Sequence, residues 1–84
     1  MPVMQAFTRL RQMARNPGDA WVIADIRYVC RNLDLDCRPP KHGSHHVVSH
    51  PKVHGLLTIP SERPLKPFYV QLFVQMVEST LELE

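Results

Sequence analysis

The sequence predicts an α+β domain in which helices pack on one side of a small antiparallel sheet. Apolar residues recur at helical spacing in the first 33 residues and again after Pro67. Between them, short runs with strand character are separated by proline and glycine. A chain of 84 residues can bury one modest core, so a single compact unit is expected.

The first element is an amphipathic helix over residues 3–14. Its expected apolar stripe consists of Val3, Phe7, Leu10 and Ala14. The Asn-Pro-Gly sequence at 16–18 ends this helix. We therefore assign residues 1–18 to an N-terminal helical extension and residues 19–80 to the main domain.

Asp19 is expected to be the N-cap of a second helix over residues 20–33, because its carboxylate can accept hydrogen bonds from first-turn amides. The apolar stripe of this helix includes Cys30. Cys30 and Cys37 are too few for a disulfide framework, so we expect two reduced, buried thiols with no functional role.

Three strands are expected over residues 35–38, 44–50 and 56–59, arranged as an antiparallel meander. Pro39-Pro40 ends the first strand and Pro60 ends the third. Pro67 suits the first turn of a final helix that reaches Glu78 or a little beyond. The apolar face of that helix is expected to consist of Tyr69, Leu72, Phe73 and Met76.

Composition and charge narrow the class of protein. With 44% hydrophobic and 21% charged residues, the chain is too apolar for a disordered protein. The net charge is only +2, yet residues 38–66 carry five lysines and arginines against Glu62 alone, which favours a phosphate-bearing partner. No apolar run approaches the roughly 20 residues that span a bilayer, so a cytoplasmic protein without membrane contact is expected. The closing Leu83-Glu84 is typical of a join to a purification tag.

The most informative segment is Gly-Ser-His-His-Val-Val-Ser-His-Pro at residues 43–51. It places several imidazoles on one short strand just after a bend, and imidazole exchanges protons near neutral pH. If the strand alternates regularly, His45 and Val47 face one side while His46 and Val48 face the other.

Further motifs follow in order. They are a His-Pro turn at 50–51, a Leu-x-Thr-Ile-Pro strand at 56–60, and Leu65-Lys66 before a closing apolar helix. Together with Gly-Ser-His-His and its apolar pair, these motifs resemble the HicA (YcfA-like) toxins, mRNA interferases of HicAB toxin–antitoxin systems. The resemblance covers roughly residues 21–77.

This resemblance implies a double-stranded-RNA-binding-domain-like fold of helix, three-stranded antiparallel sheet and helix, here with an additional N-terminal helix. It implies a ribosome-independent mRNA endoribonuclease of a type II toxin–antitoxin system. Its partners would be mRNA and a HicB-like antitoxin protein, and it would be monomeric when free of the antitoxin. In the family the catalytic residue is the histidine directly after Gly-Ser, which is His45 here. Neither a cofactor nor a metal is expected.

Chemistry also points to His45. Cleaving RNA without a metal needs a base for the ribose 2′-hydroxyl, an acid for the departing oxygen, and positive charge near the phosphate. Lys66 is the preferred phosphate contact because it precedes a helix start, where backbone amides also favour anions. The full set of expected RNA-binding residues is Lys41, Gly43, Ser44, His46, Lys52 and Lys66.

Two other classes of protein remain open. His50 and His54 have acceptable spacing for zinc ligands, with Cys30 and Cys37 available as thiolates, although these cysteines do not form a tight Cys-x-x-Cys knuckle. The second alternative is a non-catalytic RNA-binding or protein-interaction module on the same fold.

Overall fold

The computed structural model describes residues 2–82, and the Leu83-Glu84 pair lies outside them. The predicted α+β class and the predicted order of elements are confirmed. The elements are α1 (Pro2–Arg15), α2 (Ile23–Asn32), β1 (Asp36–Arg38), β2 (His45–Ser49), β3 (Leu57–Pro60) and α3 (Pro67–Glu82).

The three strands form an antiparallel sheet in the order β1-β2-β3, as the meander requires. In the register of the central strand, Val48 pairs with Cys37 of β1, and His46 pairs with Ile59 of β3. Side chains alternate along β2, so His46 and Val48 are buried while His45 is exposed. The predicted separation of the two neighbouring histidines onto opposite faces is confirmed.

The core lies between the inner face of this sheet and the helices. Helix α2 packs on β1, α3 packs on β3, and α1 packs on both α2 and α3. Ile26 of α2, Ile59 of β3 and Phe73 of α3 are all fully buried in one cluster. Burying a side chain of this size contributes about 1.5–3 kcal/mol relative to leaving it exposed.

Helix α1 contributes to the same core. It buries Ala6, Leu10 and Met13, of which Leu10 and Met13 belong to the main cluster. The predicted stripe was wrong at both ends, since Val3 is 47% exposed and Ala14 is exposed. Leu10 belongs both to the predicted stripe and to the stripe of Ala6, Leu10 and Met13. Packing against α2 and α3 buries the second stripe, which helical spacing alone does not select. The predicted boundary between the N-terminal extension and the main domain, at residue 18, falls in the turn between α1 and α2, which pack on each other.

Helix α2 begins at Ile23, and the expectation that Asp19 caps it was wrong. The N-cap residue is Val22, and Oδ2 of Asp25, three residues later, accepts a hydrogen bond from the Val22 backbone N–H at 3.0 Å. Oδ1 of Asp25 accepts a hydrogen bond from Nη1 of Arg9 at 3.3 Å. One carboxylate thus caps α2 and connects it to α1.

Helix α3 continues to Glu82, and its buried face consists of Val70, Phe73, Val74, Val77 and Thr80. The predicted face was partly wrong, because Tyr69, Leu72 and Met76 are only half-buried. Apolar residues surround most of this helix, so periodicity alone does not select a face. No helix within residues 2–82 is long and apolar enough to cross a membrane.

Candidate functional site

His45 is the first residue of β2, and its side chain is exposed. It pairs across the sheet with Pro60, the last residue of β3. The strand pairing continues one step further, because the Ser61 N–H donates to the Ser44 carbonyl oxygen at 2.9 Å. The backbone at His45 is therefore fixed by the sheet while its imidazole is open to solvent.

Gly43 forms the bend that precedes β2. Its φ of +77° lies in the left-handed region, which favours glycine because a Cβ would strain the backbone. A Cβ added there would meet no heavy atom within 4 Å, so the constraint is conformational. Glycine therefore suits this position, and the space beside it is open.

The topology brings several of the predicted RNA-binding residues to one end of the sheet. We call this the His45 end: the end of β1, the start of β2 and the end of β3, which lie together because the strands are antiparallel. The β1–β2 connection lies at this end, and it carries Lys41, Gly43 and Ser44.

Lys66 lies at the same end of the domain. Its carbonyl accepts hydrogen bonds from the Tyr69 and Val70 amides at 3.0 and 3.3 Å, so it occupies the N-terminal boundary of α3. The Leu65 N–H donates to the Trp21 carbonyl oxygen at 2.7 Å, which joins this boundary to the start of α2. Helix α2 packs on β1, and a short turn joins the end of α2 to the start of β1. The start of α2 therefore lies near the end of β1, which belongs to the His45 end.

Lys52 and His46 are placed elsewhere. The backbone N–H of Lys52 donates to Nδ1 of His50 at 3.1 Å within the β2–β3 turn. A strand rises about 3.3 Å per residue, so this turn lies more than about 13 Å from His45 along β2. The His46 ring is on the core face, 8% exposed, and within the described chain its Nδ1 has no hydrogen-bond partner.

The zinc alternative finds no support in the arrangement of side chains. Nδ1 of His50 already accepts the Lys52 N–H and organises the turn. Across residues 2–82, no three histidine, cysteine, aspartate or glutamate side chains come together where they could hold a metal ion.

The structure does bring together Cys30 and Cys37, which were expected to be inert thiols unless they bound zinc. Cys30 is buried in the last turn of α2, whereas Cys37 of β1 is only half-buried. With Arg27, Arg31 and Leu35 they line a surface pocket of about 170 Å³. The expectation of two buried thiols was therefore wrong for Cys37, which lies on a short edge strand and lines the pocket beside α2.

The two thiols differ in acidity. The pKa of Cys37 is lowered to about 7, first because the neighbouring Cys30 thiol can donate a hydrogen bond to its sulfur, and then because Arg27 is close. Burial and Asp36 oppose this shift. The pKa of Cys30 is raised by the same hydrogen bond, by burial, and by the charges of Cys37 and Asp36. Cys37 is thus the thiol that ionises near neutral pH.

Two aromatic side chains that could stack on bases have partners within the fold. Nε1 of Trp21 donates to the Asn16 carbonyl oxygen at 2.7 Å. The Tyr28 hydroxyl donates to Oε1 of Gln5 at 3.0 Å, and Cζ of Arg9 lies 4.0 Å from the Tyr28 ring centroid. These contacts connect α1 and the turn after it to α2.

Comparisons with known proteins do not assign a family to the chain. No family model matches it, and searches of curated proteins and of solved structures gave no match. The resemblance to the HicA toxins stays a prediction from the sequence motifs between residues 21 and 77.

Proposed function

We propose that this protein is a ribosome-independent and metal-independent endoribonuclease of the HicA type, acting on mRNA with His45 as general acid and base. The observation that carries the proposal is the position of His45. Its ring is exposed at the first residue of β2, directly after the Gly43 bend and within the Gly-Ser-His-His motif. An exposed ring on a fixed backbone suits a polymeric substrate that cannot enter a deep pocket.

In the proposed reaction, His45 removes the proton from a ribose 2′-hydroxyl as its oxygen attacks the neighbouring phosphorus. The protonated ring then supplies a proton to the departing 5′ oxygen. Lys41 and Lys66 provide positive charge at the same end of the domain, where a phosphate of the RNA would lie.

The fold and the partners belong to the same proposal. We infer a double-stranded-RNA-binding-domain-like core formed by α2, the sheet and α3, to which α1 adds a further helix. This inference is supported by the order helix, three antiparallel strands, helix, and by the packing of α2 and α3 on the outer strands. A HicB-like antitoxin would inhibit the monomeric cytoplasmic enzyme by covering His45 and the basic residues near it.

A non-catalytic RNA-binding or protein-interaction module is the second candidate, and one observation favours it. Among the hydrogen bonds formed within residues 2–82, none involves the His45 ring. Histidines that transfer protons are commonly oriented by a second group, which also sets their tautomer. In a binding module the basic residues would hold RNA and His45 would have no chemical role.

A cleavage assay distinguishes the two candidates. A labelled synthetic RNA is incubated with purified protein, without ribosomes and with a chelator, using the wild type, His45→Ala and His42→Ala. His42 is a matched control because it is an exposed histidine in the adjoining connection. We expect the wild type and His42→Ala to cleave, and His45→Ala to lose about two to four orders of magnitude in rate. RNA that is bound by all three proteins but stays intact would support the binding module.

A further inference from the structure

The pocket beside Cys30 and Cys37 lies apart from the proposed RNA chemistry. Cys37 pairs with Val48, which is fully buried, so its side chain shares the core face of the sheet. His45 is exposed on the opposite face. We propose that Cys30 and Cys37 form a dithiol site that hydroperoxides oxidise to a disulfide linking α2 to β1.

The turn between the two elements brings the cysteines together. After α2, Asp34 has a φ of +61°, and the Leu35 N–H donates back to the Cys30 carbonyl oxygen at 3.0 Å. The chain therefore reverses directly over the last turn of the helix. Leu35 is buried, and Cys37, two residues further along, points to the same side. The side chain of Cys37 is thus directed towards the end of α2, where Cys30 lies.

The surroundings assign different roles to the two sulfurs. Cys37 is half-buried at a pocket that Arg27 and Arg31 also line, and the Arg27 guanidinium favours a thiolate there. Asp36 is the adjacent acid, and Val48, across the sheet, carries no charge. Cys30 is buried in the last turn of α2, where the carbonyl end of the helix disfavours a negative charge. Cys37 is therefore the attacking thiolate, and Cys30 is the thiol that resolves the product.

The oxidation proceeds in two balanced steps. The Cys37 thiolate attacks one oxygen of hydrogen peroxide and breaks the O–O bond, which gives a sulfenic acid and hydroxide. The Cys30 sulfur then attacks the Cys37 sulfur, the S–O bond breaks, and the hydroxyl leaves with the Cys30 proton as water. The two thiols lose two electrons in total, and the peroxide is reduced to water. A dithiol reductant reverses the change.

The test uses the full-length reduced protein and stoichiometric hydrogen peroxide, followed by intact mass measurement and peptide mapping. We expect the loss of two hydrogen atoms per chain and one crosslinked peptide containing Cys30 and Cys37. In Cys30→Ser, Cys37 should accumulate as a sulfenic acid that dimedone traps. Because thiolate is the reactive form, thiol loss in Cys37→Ser should be slower by about tenfold or more.

A second measurement keeps the test independent of how the variants fold. In the wild type, brief peroxide treatment with dimedone present should label Cys37 before Cys30. Labelling of Cys30 first would overturn the proposal. Disulfides found only between two chains would overturn it too, as would two free thiols at a peroxide dose that oxidises cysteine in a short peptide.

Discussion

Met13→Ala tests whether α1 unfolds together with the sheet and the other helices. The Met13 side chain is fully buried in the cluster that contains Phe73 and Val77. Truncating it removes apolar burial and leaves a cavity, a change that costs about 2–5 kcal/mol. At 84 residues the whole chain should have a free energy of unfolding of about 4–13 kcal/mol. The variant should therefore lose a large share of its stability.

Met4→Ala is the matched control, since it makes the same chemical change in the same helix at a side chain that is 69% exposed. Its free energy of unfolding should change by no more than about 0.5 kcal/mol. Urea denaturation should be followed both by far-ultraviolet circular dichroism and by the fluorescence of Trp21. We expect the two signals to change together, with the midpoint lowered only in Met13→Ala.

Equal, small losses in the two variants would refute the reasoning, because they would show that Met13 is not packed. A helical signal lost at lower urea than the Trp21 fluorescence would also contradict it. In that case α1 would be a separately unfolding extension, as the division at residue 18 suggests.

Three further predictions concern the sheet, the basic residues and the thiols. His46→Phe should leave the free energy of unfolding unchanged or raise it by about 1 kcal/mol in urea denaturation, because it removes a buried nitrogen that finds no hydrogen-bond partner among residues 2–82. RNA cleavage should persist in this variant. Lys66→Ala should reduce the slope of log affinity against log salt by about 0.7 for a short single-stranded RNA, whereas Lys52→Ala, at the β2–β3 turn, should leave the slope unchanged. A reduced slope in Lys52→Ala and an unchanged slope in Lys66→Ala would place the RNA at that turn instead. Alkylation of Cys37, followed by peptide mass spectrometry, should accelerate as pH rises and reach half its maximum near pH 7, because the thiolate is the nucleophile. A midpoint at about 8.5, the value of an ordinary cysteine, would contradict the lowered pKa.

The order of elements could be predicted because proline and glycine stand between them. Pro39-Pro40 directly follows β1, and Pro67 is the first residue of α3. The buried faces of α1 and α3 were harder to predict, since more than one apolar stripe fits each helix. Only packing against neighbouring helices decides that Met13 is buried and Val3 is exposed.

The candidate site could also be predicted only in part from the sequence. The separation of His45 from His46 follows from the two-residue period of a strand, which the sequence alone contains. The distance of Lys52 from His45 follows from the length of β2, because Lys52 lies in the turn beyond the far end of that strand. The meeting of Cys30 and Cys37 depends on the left-handed turn at Asp34, which cysteine spacing does not reveal.

The central position of β2 has a consequence for the motions of the site. Every residue of β2 pairs with β1 or β3, and Val47 and Val48 pair with both, while the residues before it belong to a bend in which Ser44 makes a strand-like bond. Amide hydrogen exchange should therefore be slow along β2 and fast at Gly43. His45 stands at the boundary between the slowly and the rapidly exchanging backbone. A bound chain could displace the bend while the imidazole keeps its place on the sheet.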